Sequence, residues 1–231
     1  MDIGIGLPGH VPWTDGRTLV EWARRAEARG FSTLSVSDRL VWNTPEPLIA
    51  LAAAAGATSR IRLLTSVLIG PLRANHALFA KAVTTLDQVA GPGRLRLGLA
   101  PGLRDDDFAH GEVDYPTRGR EFDRLLDRLA AVVSGGDPVG PPPATAGGPP
   151  LLFGGGSAAA LRRITTHGTG WIAGDATPSA PARTTRWSGL SARTTPSPAR
   201  STPGTGCPSP TPARRTSPRR WPNSPGSAAM S

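Results

Sequence analysis

The chain has 231 residues, a single cysteine and a formal net charge of +9. One cysteine excludes an internal disulfide framework, and the longest apolar run, 48–57, is too short to span a bilayer. The N-terminus lacks a basic segment followed by an apolar stretch, so it does not resemble a secretory signal. These features predict a cytoplasmic protein with no membrane partner.

The excess positive charge lies in residues 179–231. This segment holds eight of the 26 basic residues and none of the 17 acidic ones, so residues 1–178 carry 18 basic and 17 acidic side chains. It also contains 10 Pro, 10 Ser and 8 Thr, with one Leu and no Val, Ile or Phe. Such a segment buries too little apolar surface to offset the entropy of ordering. We therefore expect a folded domain over 1–178 and a disordered tail over 179–231.

Two explanations of the tail remain open. A GC-rich gene read out of frame from about Pro178 would account for a tail that interrupts a regular strand–helix alternation. A genuine Arg-rich tail would bind nucleic acid. Such tails usually mix Lys with Arg and follow a complete domain. The composition therefore favours the frame explanation and argues against nucleic acid as a partner.

Apolar strands and amphipathic helices alternate up to about Ala173. Capping residues mark several helix starts, and Gly30 and Gly91 mark two helix ends. The expected strands are 3–7, 33–37, 63–69, 95–100, 151–153 and 170–173. The expected helices begin after Thr14 or Asp15, span 47–57, begin after Asn75 and after Thr117, and span 157–166.

This alternation predicts a parallel sheet, either open and doubly wound or closed as a barrel. The segment 4–9 spells G-x-G-x-x-G, but Pro8 and the late start of the helix argue against a dinucleotide fingerprint. The expected inward faces are Leu78, Phe79, Ala82, Leu86 and Val89 in the helix after Asn75, and Phe122, Leu125, Leu126, Leu129 and Val132 in the helix after Thr117.

Four segments, 3–8, 26–39, 64–99 and 153–172, together resemble the luciferase-like monooxygenase family (the bacterial luciferase superfamily). Their order and spacing over about 170 residues carry the resemblance. It implies an α/β fold of the (β/α)8 TIM-barrel type, which needs about 250 residues. About six strand–helix units are recognisable, so we expect an incomplete barrel whose last two units would lie where the tail is.

The resemblance implies a flavin- or deazaflavin-dependent oxidoreductase or monooxygenase that acts on a small organic substrate. The implied cofactor is FMN, with O2 as co-substrate, or alternatively coenzyme F420, a 5-deazaflavin. A homodimer remains open as the assembly. Two other functions stay open as well: a truncated, inactive fragment of such an enzyme, and a nucleic-acid-binding protein with an Arg-rich tail.

The resemblance also indicates where the cofactor phosphate would bind. Gly155, Gly156 and Ser157 precede a helix, where glycines allow close backbone approach and the helix N-terminus offers free N–H groups. Ser157 would donate its hydroxyl, and Ala160 would face the phosphate from the first turn. An ordinary capped helix after a flexible turn is the alternative interpretation.

Two further segments match family positions at the cofactor ring. Ser66 and Val67 stand where the family has a non-proline cis peptide bond against the ring face. Asp38 matches an acidic residue near the cofactor. Arg39 stands where the deazaflavin branch commonly has a histidine; it cannot act as a base near neutral pH, but it could pair with an anionic cofactor tail or with Asp38.

The remaining candidates carry weaker signals. Gly102 and Leu103 match a phosphate-contacting segment, although Pro101 replaces an arginine that is frequent in luciferase-type members. His10 is a weak catalytic candidate, since a lone histidine is more often structural. We expect the acidic run Asp105–Asp107 to be solvated in a loop, and we predict no metal site.

Overall fold

The computed structural model describes residues 2–11 and 14–173, so the expected tail over 179–231 lies outside the described residues. Within the described part, strands and helices alternate as expected, with one additional short helix after the fourth strand. The strands are β1 (Gly4–Gly6), β2 (Thr33–Val36), β3 (Arg62–Ile69), β4 (Leu95–Ala100), β5 (Leu151–Gly154) and β6 (Gly170–Ile172). The helices are α1 (Gly16–Ala28), α2 (Pro47–Ala57), α3 (His76–Ala90), α4 (Asp105–His110), α5 (Arg118–Val133) and α6 (Ala158–His167).

All six described strands are parallel, and each strand from β2 to β6 pairs with the strand that precedes it in the chain. A doubly wound sheet would reverse its strand order at a switch point, whereas a barrel adds strands in sequence. The sheet therefore curls as a half-barrel, with β1 and β6 at the edges of the described sheet.

Local signals account for the helix boundaries. Asp15, rather than Thr14, caps α1 by accepting a hydrogen bond from Thr18 N, and Gly30 follows its end with a φ of 80°. Pro47 occupies the first turn of α2, where a missing N–H costs nothing. Asn75 caps α3 through Leu78 N. No helix among the described residues has the length and apolar character needed to cross a bilayer.

The hydrophobic core lies between the sheet and the helices. The expected inward face of α5 is confirmed, because all five of its predicted residues are buried. In α3 the expectation was wrong at two positions: Leu78 is 63% exposed and Val89 is 51% exposed. Apolar residues occur on several faces of this helix, so the pattern did not define its rotation. The buried face of α3 consists of Phe79, Ala80, Val83, Thr84, Leu86, Asp87 and Ala90.

The long segment 134–150 contains no helix or strand, as its glycine and proline content predicted. Asp87 on α3 anchors it: one carboxylate oxygen accepts a bond from Thr145 N at 2.7 Å and the other from Thr145 Oγ1 at 2.8 Å. These bonds explain why an aspartate occupies the buried face of α3, since a buried carboxylate needs hydrogen-bond donors.

Candidate functional site

The predicted site residues come together at one edge of the sheet. His10 follows β1, Asp38 follows β2, Gly102 follows β4 and Gly155 follows β5. Because all described strands are parallel, their carboxyl ends meet at the same edge, which is where barrel enzymes place their active sites.

The ends of three adjacent strands form an apolar floor at this edge. The peptide bond between Ser66 and Val67 is cis, as the resemblance implied, and the pairing of β3 with β4 shifts register at this point. Gly154 lies opposite: a Cβ added there would be 3.3 Å from Val67 Cγ1 and 3.5 Å from Ala100 Cβ. Because Gly154 has no side chain, the apolar surface of Val67 and Ala100 beside it stays uncovered.

A glycine turn connects the floor to helix α6. Gly155 has a φ of 101°, and a Cβ added at Gly156 would meet no atom within 4 Å. Ser157 is the N-cap of α6, its Oγ accepting a bond from Ala160 N at 3.2 Å. The hydroxyl hydrogen of Ser157 remains able to donate to a ligand. Ala160 is buried and its N–H is already engaged.

Close packing and two side-chain hydrogen bonds hold the segment that follows β4 in place. Gly102 has a φ of 82° and packs so closely that an added Cβ would lie 2.8 Å from Ile69 Cγ2. Arg118 Nε donates to the Gly102 carbonyl at 3.3 Å, and the Tyr115 hydroxyl donates to the Leu103 carbonyl at 2.8 Å. The Leu103 side chain is 87% exposed, so it is available at the edge.

Asp38 connects the carboxyl ends of β2 and β3. It is buried, accepts a bond from Ile69 N at 2.9 Å and pairs with Arg73 Nη2 at 3.0 Å. Burial raises the pKa of the Asp38 carboxyl, and Arg73 together with the Ile69 N–H offsets only part of that increase. Asp38 therefore holds the carboxyl ends of β2 and β3 together. Its charged partner is Arg73 rather than Arg39.

Arg39 pairs with the acidic run 68 residues further along the chain. Its Nε donates to Asp107 Oδ2 at 2.7 Å and its Nη2 to Asp106 Oδ2 at 3.3 Å. The expectation that this run is a solvated loop was wrong, because it forms helix α4 and Asp107 is buried. The sequence offered one unused signal, an acidic run shortly after β4, at the same edge of the sheet as the carboxyl end of β2.

His10 and Trp42 lie together at the same edge. His10 is exposed, with its Nε2 2.6 Å from Ser37 Oγ. Its ring meets the Trp42 ring edge-on, with 5.2 Å between the ring centroids. Trp42 is 60% exposed, and sequence reasoning did not identify it.

A cavity of about 560 Å³ lies elsewhere, lined by residues such as Leu129, Val133, Pro149 and His167. Its lining comes from the C-terminal part of α5, the segment leading into β5 and the end of α6. These elements lie at the amino ends of the strands, so this cavity is separate from the predicted site.

Comparison with known proteins agrees with this architecture. The family model described as luciferase-like monooxygenase matches residues 1–200. The F420-dependent glucose-6-phosphate dehydrogenase of Kribbella flavida is 34% identical over 135 residues, which are 56% of this chain and 40% of that protein. The chain thus spans less than half the length of the curated relatives it matches.

Solved structures that share the fold include F420-dependent and FMN-binding proteins. The coenzyme F420-dependent tetrahydromethanopterin reductase of Methanopyrus kandleri gives a TM-score of 0.60 at 19% identity, covering 74% of this chain and 55% of that chain. The oxygenating constituent of 3,6-diketocamphane monooxygenase from Pseudomonas putida, in complex with FMN, gives 0.60 at 19% identity, covering 71% and 54%. With a family match over residues 1–200 and six parallel strands added in chain order, the chain belongs to the luciferase-like monooxygenase family.

Proposed function

We propose that the chain acts as a deazaflavin- or flavin-dependent oxidoreductase on a small organic substrate. The observation that carries this proposal is the apolar floor of Val67, Ala100 and Gly154 beside the open turn that begins at Gly155. A flat apolar surface suits the face of a planar ring, and an adjacent helix N-terminus suits a phosphate.

The glycine turn fits a cofactor phosphate on two counts. An added Cβ at Gly156 would meet nothing within 4 Å, so the backbone there is open to a ligand. The first N–H groups of α6, those of Ala158 and Ala159, have no partner within an α-helix and point out of its N-terminus. We therefore propose Gly155, Gly156 and Ser157 as the phosphate-binding turn.

We propose the ring site and its surroundings residue by residue. Ser66 and Val67 would form the floor, and Gly102 and Leu103 would line the neighbouring turn. Asp38 would keep the ends of β2 and β3 in place beside the cofactor. His10 remains a weak catalytic candidate, because its Nε2 lies 2.6 Å from the Ser37 hydroxyl and is exposed to an incoming substrate.

Between the two cofactors, we favour coenzyme F420. The Kribbella flavida relative at 34% identity is named as F420-dependent, whereas the FMN-bound neighbour is only 19% identical. Pro101 also replaces the arginine that is frequent in luciferase-type members. Either cofactor would supply the redox chemistry, while the residues of this chain would bind it, orient it and exclude water.

Titration of the full chain with F420, and separately with FMN, tests this proposal. We expect saturable binding, followed by cofactor fluorescence, with F420 bound at least about tenfold more tightly than FMN, which corresponds to about 1.4 kcal/mol. NADH serves as a control that should not bind. Failure of both cofactors to bind would contradict the proposed function and is what an inactive fragment would give.

Replacing Ser157 by Asp tests the phosphate turn. Asp is as good an N-cap as Ser, so α6 should persist, but the added negative charge should weaken cofactor binding by well over about tenfold. Thr85→Asp is the matched control, because it adds the same charge on an exposed position of α3, four residues after Lys81. Unchanged affinity in Ser157→Asp would remove Ser157 from the site.

A further inference from the structure

Asp107 is a buried carboxylate that bridges from α4 to the segment after β2. Its side chain is 1% exposed, and Arg39 Nε donates to its Oδ2 at 2.7 Å. Its Oδ1 accepts bonds from Leu40 N and Val41 N, both at 3.0 Å. Three donors on one buried carboxylate are a strong, charge-assisted arrangement. Asp107 therefore determines both the side-chain position of Arg39 and the backbone path of Leu40 and Val41.

Trp42 directly follows this anchored segment. The Arg39 guanidinium carbon lies 5.2 Å from the centre of the Trp42 ring, a cation–π contact. The same ring also meets His10 edge-on. Since Trp42 is 60% exposed, one part of its ring stays open to a ligand at the carboxyl edge of the sheet.

We infer that Asp107 is a positioning residue, which acts through Arg39 and through the backbone of Leu40 and Val41 to hold Trp42 as one wall of the site. Its meaning for ligand binding rests on the proposed function. Asp106 contributes less, because its 3.3 Å bond to Arg39 is longer, it also pairs with Arg104, and its side chain is 35% exposed.

The fluorescence of Trp42 reports this role without any ligand. The contribution of Trp42 is the difference in emission between each protein and the same protein carrying Trp42→Phe. In Asp107→Asn the amide cannot hold Arg39 as a carboxylate does. We therefore expect a shifted emission and about twofold faster acrylamide quenching of Trp42, with far-UV circular dichroism unchanged.

Asp105→Asn is the matched control. It removes the same charge from the same first turn of α4, but Asp105 is exposed and its carboxylate bonds only to Asp106 N among the described contacts. Trp42 emission should not change in this variant. Equal emission of Trp42 in Asp107→Asn and Asp105→Asn would overturn the inference, whether or not a cofactor binds.

A second variant and a binding measurement complete the test. If Asp107→Asn does not fold, Arg39→Gln removes the guanidinium while Leu40 N and Val41 N still donate to Asp107, and the same shift in Trp42 emission is expected.

F420 and FMN should bind Asp107→Asn about tenfold more weakly than Asp105→Asn. A Trp42 shift in a protein that binds neither cofactor supports the positioning role and contradicts the proposed function. A shifted Trp42 emission with unchanged cofactor affinity would overturn the inference that Trp42 forms one wall of the cofactor site.

Discussion

At the scale of single residues, Gly98 on β4 has no room for a side chain. A Cβ added there would collide with the backbone oxygen of Thr65 on β3 and with Cδ1 of Ile172 on β6. Thr65 Oγ1 also donates to the Gly98 carbonyl at 2.8 Å, and Thr65 is buried. Atoms of β3 and β6 therefore occupy the space beside Gly98 on β4, inside the half-barrel.

Gly98→Ala should destabilise the protein by about 1–3 kcal/mol, because the clash is with backbone and cannot be relieved by a side-chain rotation. Gly56→Ala is the control: it lies in α2, an added Cβ meets nothing within 4 Å, and it should stabilise by about 0.5–1 kcal/mol. Urea unfolding measures both. Equal stability of Gly98→Ala and the parent chain would show that the Thr65 backbone on β3 shifts away from β4 at no cost.

At the scale of elements, Glu27 joins the end of α1 to the turn that precedes β3. Its Oε1 accepts bonds from Ser59 N at 2.9 Å, Arg60 N at 2.6 Å and Ile61 N at 2.9 Å. Burial raises the pKa of Glu27, but these N–H groups more than offset it, so its pKa lies below the ordinary 4.5. A helix end thereby holds the start of a strand more than 30 residues away.

This arrangement predicts a pH-dependent stability. Because the folded pKa of Glu27 is lowered, its charge stabilises the fold above about pH 4.5, and that contribution is lost as the pH falls through the folded pKa. Glu27→Gln should cost about 1 kcal/mol at neutral pH, and the difference from the parent should vanish in acid. Urea unfolding across pH measures it, with Glu21→Gln on the exposed face of α1 as control. A difference that does not vary with pH would contradict this account.

At the scale of the whole described domain, Phe122 connects elements that are distant in sequence. It is fully buried on α5, meets the Phe153 ring of β5 edge-on at 6.1 Å and lies 5.0 Å below the Arg163 guanidinium of α6. A Cβ added at Gly70, after β3, would be 2.6 Å from the Phe122 ring. The Phe122 side chain therefore packs against both the helical layer and the sheet.

Phe122→Ala should lower the free energy of unfolding by about 3–5 kcal/mol, because it removes a large buried ring and leaves a cavity between several elements. Leu161→Ala, at a 51% exposed position of α6, should change it by less than about 0.5 kcal/mol. Chemical denaturation of both variants checks this. If Phe122→Ala lost no more than Leu161→Ala, the sheet and helical layer would not form one core.

The sequence by itself determined the features that depend on neighbouring residues. The bounds of α2, the cap at Asn75 and the inward face of α5 all follow from the residue pattern within a few positions along the chain, whereas the choice of Asp15 over Thr14 as the cap of α1 came from the structure. The order and spacing of four segments also indicated the family, and the cis bond between Ser66 and Val67 was expected from that resemblance.

Only the tertiary structure decided the features whose partners are far apart in sequence. Asp38 pairs with Arg73 and Arg39 pairs with Asp107, and no periodicity indicates such partners. The rotation of α3 was also decided this way, because its apolar residues allowed several faces and packing selected one, with Asp87 buried to hold Thr145. Local patterns reflect energies within one element, whereas these contacts exist only once the parallel strands bring their carboxyl ends together.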